Sequence, residues 1–336
     1  MIHGPQAPIE LSFEAGTIVL TGERASLDAL SDLPGVILDD RVQALRAPAS
    51  RYREIFAALY RKQRAGELTL TDTARAYVEL PLELSAYRTP YPHQAEALEA
   101  WEGGGKRGVV VLPTGSGKSY VAELAIWKAG RSAMVIAPTI DLMNQWYDLL
   151  CGTFERPVGI LGGGYHEVED LTVSTYDSAY LHIERLGNRF ALLVFDECHH
   201  LPSPSYAQIA QMSIAPFRLG LTATPERSDG RHMDLDQLVG PEVYRRGIKE
   251  LAGSYLAQYE TIRVPVPLSD ADALAYQEAR EIYRSFVRGQ GIRMSSPQGW
   301  GEFVMRSSMS KDGRRAFRAY REQRRIALAH EGKIHK

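Results

Sequence analysis

LPTGSGKS, residues 112 to 119, is the stretch that most constrains this chain, because it lies between an apolar run, GVVVLP, and a helical one, SYVAELAIWKAG. Two glycines so close to a lysine let backbone N–H groups curl around phosphate oxygens, and the helix that follows adds the partial positive charge of its N-terminus. Lys118 is then expected to reach the β- and γ-phosphates of a nucleotide and Ser119 to ligate Mg²⁺, with Thr114, Gly115, Ser116 and Gly117 forming the cradle. The strict pattern G-x-x-x-x-G-K-[ST] wants glycine where this chain has Leu112, so the motif is a variant.

A phosphate cradle needs a sheet behind it. From about Pro81 onward, short Val/Ile/Leu runs alternate with helical stretches: SAMVIAP then IDLMNQWYDLL, then DLTVST, FALLVFDE and FRLGLTAT. Continuous apolar strands alternating with helices imply a parallel sheet covered on both faces. At 336 residues the chain is long enough for two or three such cores. Upstream, IELSFEAGTIVLT (9 to 21) reads as a hairpin broken at Glu14-Ala15-Gly16, and RYREIFAALYRKQ (51 to 63) places Ile55, Phe56, Leu59 and Tyr60 on one helical face. A small α+β domain is expected there. After about Leu251 the text turns helical and basic.

Charge divides the same way. The net charge of −2 is the sum of +9 from Arg280 to Lys336 and −11 over the remainder, which suggests a polyanion partner for the tail, a solvated basic helix being the alternative. Apolar residues make up 44% and charged residues 24%, an ordinary globular balance. Two cysteines cannot build a disulfide framework and suit a reducing cytosol. The N-terminal text does not read as a signal peptide, and the apolar runs are too short to cross a bilayer. A cytoplasmic protein is expected, nucleoid-associated if prokaryotic.

ALLVFDECHHLP, residues 191 to 202, crowds two carboxylates, a thiol and two imidazoles at the end of a strand. In phosphoryl transfer a carboxylate at a neighbouring strand tip holds Mg²⁺ and an adjacent group orients the attacking water, roles that fit Asp196 and Glu197. A zinc site is disfavoured, since consecutive residues on a strand point to opposite faces and Cys151 stands isolated; Cys198 is expected to be packing. Ala137-Pro138-Thr139, Val173-Ser174-Thr175-Tyr176 and Thr222-Ala223-Thr224 also end strands, at the edge where open α/β sheets bind ligands. Hydroxyls at Thr139, Ser174 and Thr175 are candidates for gripping a nucleic-acid backbone, helix capping being the competing use.

TGSGKS, APT, STY, DECH and TAT, in this order over roughly residues 85 to 230, resemble the motifs of superfamily 2 helicases, and Tyr91-Pro92-His93-Gln94 resembles that superfamily's adenine-recognition element with Gln94 in the reading position. VSTYDSAY, the text around DECHHLPSPSY and ERSDGRH resemble the XPB (xeroderma pigmentosum group B) branch, particularly its archaeal-type members. The resemblance implies a RecA-like P-loop NTPase lobe (81–250), preceded by a damage-recognition-like α+β domain (1–80), followed by a helical thumb-like segment (251–325) and a lead (326–336) into a second RecA-like lobe. It implies an ATP- and Mg²⁺-dependent DNA translocase with 3′–5′ helicase activity, acting on duplex or forked DNA in DNA opening and nucleotide excision repair, with a nuclease partner in prokaryotic settings. His199 would link the ATP site to Thr222 or Thr224, and Arg227 would belong to an Arg-Glu-Asp element that helps split the duplex. Here that element reads Arg227-Ser228-Asp229, so weak unwinding is expected. No second α/β lobe follows Thr224, and RRAFRAYREQRR (314 to 325) reads as a helix, so the chain reads as an incomplete motor: a truncated or degraded chain, or a split gene. The aromatics Tyr283, Phe286, Trp300, Phe303, Phe317 and Tyr320 either flank DNA or form the thumb's core. A restriction or remodelling motor module, or a non-hydrolysing DNA-binding adaptor, are the alternative functions.

Overall fold

A computed structural model of the chain describes residues 7–227, 229–253, 255, 266–294 and 299–329. The described residues up to Tyr255 belong to one compact unit and those from 266 onward to a second.

The described residues of the first unit form two sheets. β1 (Ala7–Glu14), β2 (Thr17–Gly22), β3 (Ile37–Asp39), β4 (Ala44–Pro48) and β5 (Leu68–Asp72) are ordered β3-β4-β2-β1-β5. β1 and β2 form the expected hairpin, with Leu11 opposite Leu20. Its turn places Ala15 at φ 47° and Gly16 at φ 76°, the left-handed pair that matches the twist of two antiparallel strands. Gly16 also lies where a Cβ would meet Met212 Cε at 2.5 Å, so the turn seats directly on the larger domain. The helix Tyr52–Arg64 buries Tyr52, Ile55 and Leu59 against this sheet. The expected face is shifted: Tyr60 is exposed and Phe56 half-buried under the Arg75 guanidinium, because the small sheet covers only a narrow stripe of the helix.

The second sheet comprises β6 (Arg107–Val111), β7 (Ala133–Ala137), β8 (Val158–Gly162), β9 (Tyr165–Glu167), β10 (Leu171–Thr175), β11 (Leu192–Asp196), β12 (Phe217–Thr222) and β13 (Glu242–Arg245), in the order β13-β6-β12-β11-β7-β10-β8-β9. All neighbours are parallel except the edge pair β8–β9. Separate apolar cores cover the two faces, one built around Trp101, Val121, Leu124 and Val135, the other around Met134, Ile136, Phe190 and Phe195. This explains why the strands read as unbroken apolar runs. Arg218 of β12 is buried with no carboxylate partner among the described residues; its guanidinium donates to the carbonyls of Ala210, Ser213 and Leu238, tying the stretch 210–213 and Leu238 to the strand.

The described residues of the second unit form three helices, Asp270–Gly289, Gly299–Ser308 and Lys311–Ala329. Ser269 Oγ caps the first by accepting from Asp272 N at 3.1 Å. Phe303 is fully buried, with Tyr283, Phe286, Phe317 and Tyr320 packed around it. Of the two roles open to these aromatics, the packing describes core; Trp300 lies against Tyr320 with nearly half its surface free. Arg315, Arg318 and Arg321 are exposed and pair with no carboxylate among the described residues. Residues 330–336, most of the expected lead, lie outside the described residues.

Candidate nucleotide and nucleic-acid site

The sheet order puts β6, β12 and β11 side by side, so the loop after β6 and the acidic end of β11 open on the same edge. Residues 113 to 117 make the loop, and the helix Lys118–Ala129 begins at its end. Gly115 and Gly117 take φ 82° and 80°, values that a side chain resists. Gly117 has a second reason to be glycine, since a Cβ there would run into the Gln94 amide. Ser116 is buried, its hydroxyl donating to Pro113 O at 2.7 Å, which pins the loop's curl; Thr114 is exposed and Ser119 half-buried at the helix start. Gln94 donates from Nε2 to Ser116 O at 3.1 Å and accepts Tyr91 N–H at 3.0 Å, so it braces the loop from behind. His93 Nε2 meets the same Ser116 carbonyl at 2.9 Å. Lys118 Nζ donates to Leu112 O at 3.2 Å and pairs with no carboxylate among the described residues.

Asp196 ends β11 with both carboxylate oxygens held: Oδ1 accepts Glu197 N–H at 3.1 Å and Oδ2 accepts the Trp146 indole N–H at 2.8 Å. Burial pushes the Asp196 carboxyl above its ordinary range; the Trp146 hydrogen bond opposes this and the neighbouring Glu197 charge adds to it. Lys118 is close enough for its charge to pull the same group down. Glu197 is left-handed at φ 45°, a strained conformation for a residue with a side chain. The Thr222 hydroxyl, at the end of β12, donates to Glu197 Oε2 at 3.3 Å and accepts Thr224 N–H at 3.2 Å. His199 Nδ1 lies 3.0 Å from the same hydroxyl oxygen. The same Nδ1 lies 3.4 Å from Glu197 Oε2, so His199, Thr222 and Glu197 form one triangle of contacts.

Among the two coupling candidates, Thr222 makes the side-chain link; Thr224 contributes its backbone N–H and is exposed. Cys198 is fully buried behind this cluster, its thiol pushed up by burial, and Gly220 of β12 leaves room for it. His200 is held below its ordinary pKa, first by burial and then by His199.

The nucleic-acid candidates separate. Thr139 is exposed and caps the helix Ile140–Thr153 by accepting Leu142 N–H at 3.2 Å. Ser174 does not fit the expectation of a backbone-gripping hydroxyl: it is fully buried and donates to Leu161 O at 2.9 Å. Thr175 is also buried, spent on capping the helix Tyr176–Leu186 through Ser178 N at 3.2 Å. Capping wins there because the strand end and the helix start leave no other acceptor for those N–H groups. Arg227 holds Asp229 with Nε at 3.0 Å and Nη2 at 2.6 Å, and donates from Nη1 to His199 O at 2.7 Å, so its fork ties the segment after β12 to the acidic cluster. Ser228 lies outside the described residues. Trp146 and Tyr176, whose hydroxyl donates to Asp196 O at 3.0 Å, are site-shaping residues whose role the sequence did not disclose.

This is a P-loop NTPase lobe of the superfamily 2 helicase kind: a glycine loop opening a helix, an Asp-Glu pair at the end of a neighbouring strand of the same sheet, and a hydroxyl joining that pair to the next strand end. Residues 88–227 match the family model of the type III restriction enzyme res subunit, and residues 11–66 match that of the xeroderma pigmentosum group B helicase damage recognition domain. A DNA 3′-5′ translocase XPB2 of Sulfurisphaera tokodaii is 38% identical over 304 residues, covering 90% of this chain and 68% of the relative. Proteins named DNA 3′-5′ helicase XPB, from Kineococcus radiotolerans and Mycobacterium tuberculosis, are 36% and 35% identical over 56% and 55% of this chain. The chain belongs to the XPB family of DNA helicases and translocases. It spans about two thirds of the length of the first relative and 36% of each of the other two. Among the described residues no helix is long and apolar enough to cross a membrane.

Proposed function

We propose that this chain is the nucleotide-binding part of an ATP-dependent DNA translocase with 3′–5′ helicase activity, working in DNA opening and nucleotide excision repair. The observation that carries the reading is the Thr222 hydroxyl, which makes Glu197, His199 and the end of β12 one hydrogen-bonded unit beside the P-loop. The donor set fits a magnesium nucleotide. Lys118 makes no ion pair within 4 Å among the described residues, which suits phosphate, and Asp196 and Glu197 are adjacent carboxylates, suited to Mg²⁺. Thr114, Gly115, Ser116 and Gly117 would cradle the phosphates with backbone N–H groups, Gln94 would read the adenine while bracing the loop, and Ser119 and Asp196 would hold the metal. When bound, Mg²⁺ neutralises charge that develops on the phosphates. Glu197 would orient the attacking water, and His199 would report the state of the pair through Thr222 to the segment carrying Arg227. Thr139, whose exposed side chain caps a helix, would meet a nucleic-acid backbone. Domain limits of 1–80, 81–250, 251–325 and 326–336 are proposed on the same basis, as is a cytoplasmic, nucleoid-associated location in a prokaryotic cell.

A restriction-type motor shares the match over 88–227; the damage-recognition match over 11–66 favours the repair reading. Nothing in the comparisons supports the nuclease partner implied by the resemblance, and no interface for one is proposed. Competition between duplex DNA and duplex RNA at matched salt tests the substrate. DNA is expected to bind better, with affinity falling steeply as salt rises, and Arg318→Gln is expected to reduce the logarithmic salt slope by about 1. Equal affinity for RNA would overturn the DNA assignment, and an unchanged slope would remove the arginine row of residues 315–321 from the interface.

A further inference from the structure

Trp146 belongs to none of the motifs, yet it makes the shortest contact to the carboxylate on which the metal reading rests. Its indole N–H donates to Asp196 Oδ2 at 2.8 Å, while Glu197 N–H serves Oδ1 at 3.1 Å. Each oxygen therefore has one donor fixed by the protein, and the plane of the carboxyl is set before any ligand arrives. The indole is itself held: it is 5% exposed, on a helix that buries Met143, Trp146 and Leu150 and packs on β7, β8 and β10. An indole N–H only donates, so it can serve the ionised carboxylate and offers nothing to an acid proton.

We infer that Trp146 is a positioning residue for the metal site, acting through Asp196 to orient the carboxylate that receives Mg²⁺. The inference rests on the nucleotide reading above. Partners that orient a metal ligand typically contribute about 10–100-fold to metal affinity. Phenylalanine keeps an aromatic ring and removes the donor. In the whole chain, Trp146→Phe is expected to raise the Mg²⁺ concentration for half-maximal binding of a fluorescent ATP analogue about tenfold, while binding of the same analogue in EDTA stays within about twofold of wild type. A tryptophan that only fills space would shift both bindings by the same factor, and that result would overturn the inference.

Trp146→Phe also leaves a cavity, so the contact is read a second way with the indole in place. The chain has four tryptophans, giving four indole ¹⁵N–¹H resonances. Asp196→Asn and saturating Mg²⁺–ADP are each expected to move the same one of them. If Asp196→Asn leaves all four in place, the contact does not exist in solution and the inference fails. A wild-type chain that binds no nucleotide with or without Mg²⁺ would sink the nucleotide reading instead, and the Asp196→Asn spectrum would still decide the contact.

Discussion

With a second RecA-like lobe supplied, Glu197→Gln lowers the rate of ATP turnover about 10²–10⁴-fold, the usual weight of a positioned acid–base group, and leaves nucleotide affinity within about threefold of wild type. The substituted amide keeps an oxygen to accept the Thr222 proton but has no charge to draw a proton from water. The strained backbone makes a companion substitution informative. Glu197 sits at φ 45°, which costs a residue with a Cβ about 1–2 kcal/mol, so Glu197→Gly is expected to abolish turnover and yet raise the melting temperature by about 2–4 °C. A variant that is both inactive and more stable is the signature of a conformation kept for chemistry. Turnover by Glu197→Gln within tenfold of wild type would mean that the water is held elsewhere.

The second large effect concerns what the lobe does alone. Arg227, which reaches the acidic cluster, has its fork engaged by Asp229 and the His199 carbonyl, and among the described residues there is only one sheet of the parallel P-loop kind. Arginines delivered by a second lobe contribute about 10³–10⁵ in rate in related ATPases. The 336-residue chain is therefore expected to hydrolyse ATP, with DNA present, at least about 10³-fold more slowly than a protein carrying both lobes. Steady-state phosphate release measures this, and equal rates would contradict it.

The phosphate loop, the acidic strand end and the parallel sheet were legible because each is written locally: glycines where φ is positive, apolar runs where both faces are covered, carboxylates at a strand tip. What was not legible depends on packing between distant segments. Ser174 and Thr139 look alike as strand-ending hydroxyls, yet one lies under the sheet edge and the other at the surface, and only the neighbouring strand β8, with Leu161, decides it. Trp146 lies fifty residues from Asp196, and a tryptophan on an amphipathic helix carries no local mark that its N–H has a functional acceptor. The thumb-like aromatics posed the same problem: interleaved aromatics and arginines suit a DNA groove as well as a three-helix core, and the rings around Phe303 take the core arrangement while the arginines face outward.

Titration of the whole chain with a non-hydrolysable ATP analogue and Mg²⁺, for wild type and Lys118→Ala, tests the central assignment most directly because it needs neither DNA nor a second lobe. Lys118 is the one cation of the loop and charge-assisted bonds from it to two phosphates would be worth about 3 kcal/mol together, so the variant is expected to bind about 100-fold more weakly with its melting temperature unchanged. Gly117→Ala, which drives a methyl into Gln94, is expected to lose binding as well. Wild-type and Lys118→Ala chains of equal affinity, or a wild type that binds nothing, would contradict the assignment of residues 112–119 as the nucleotide site.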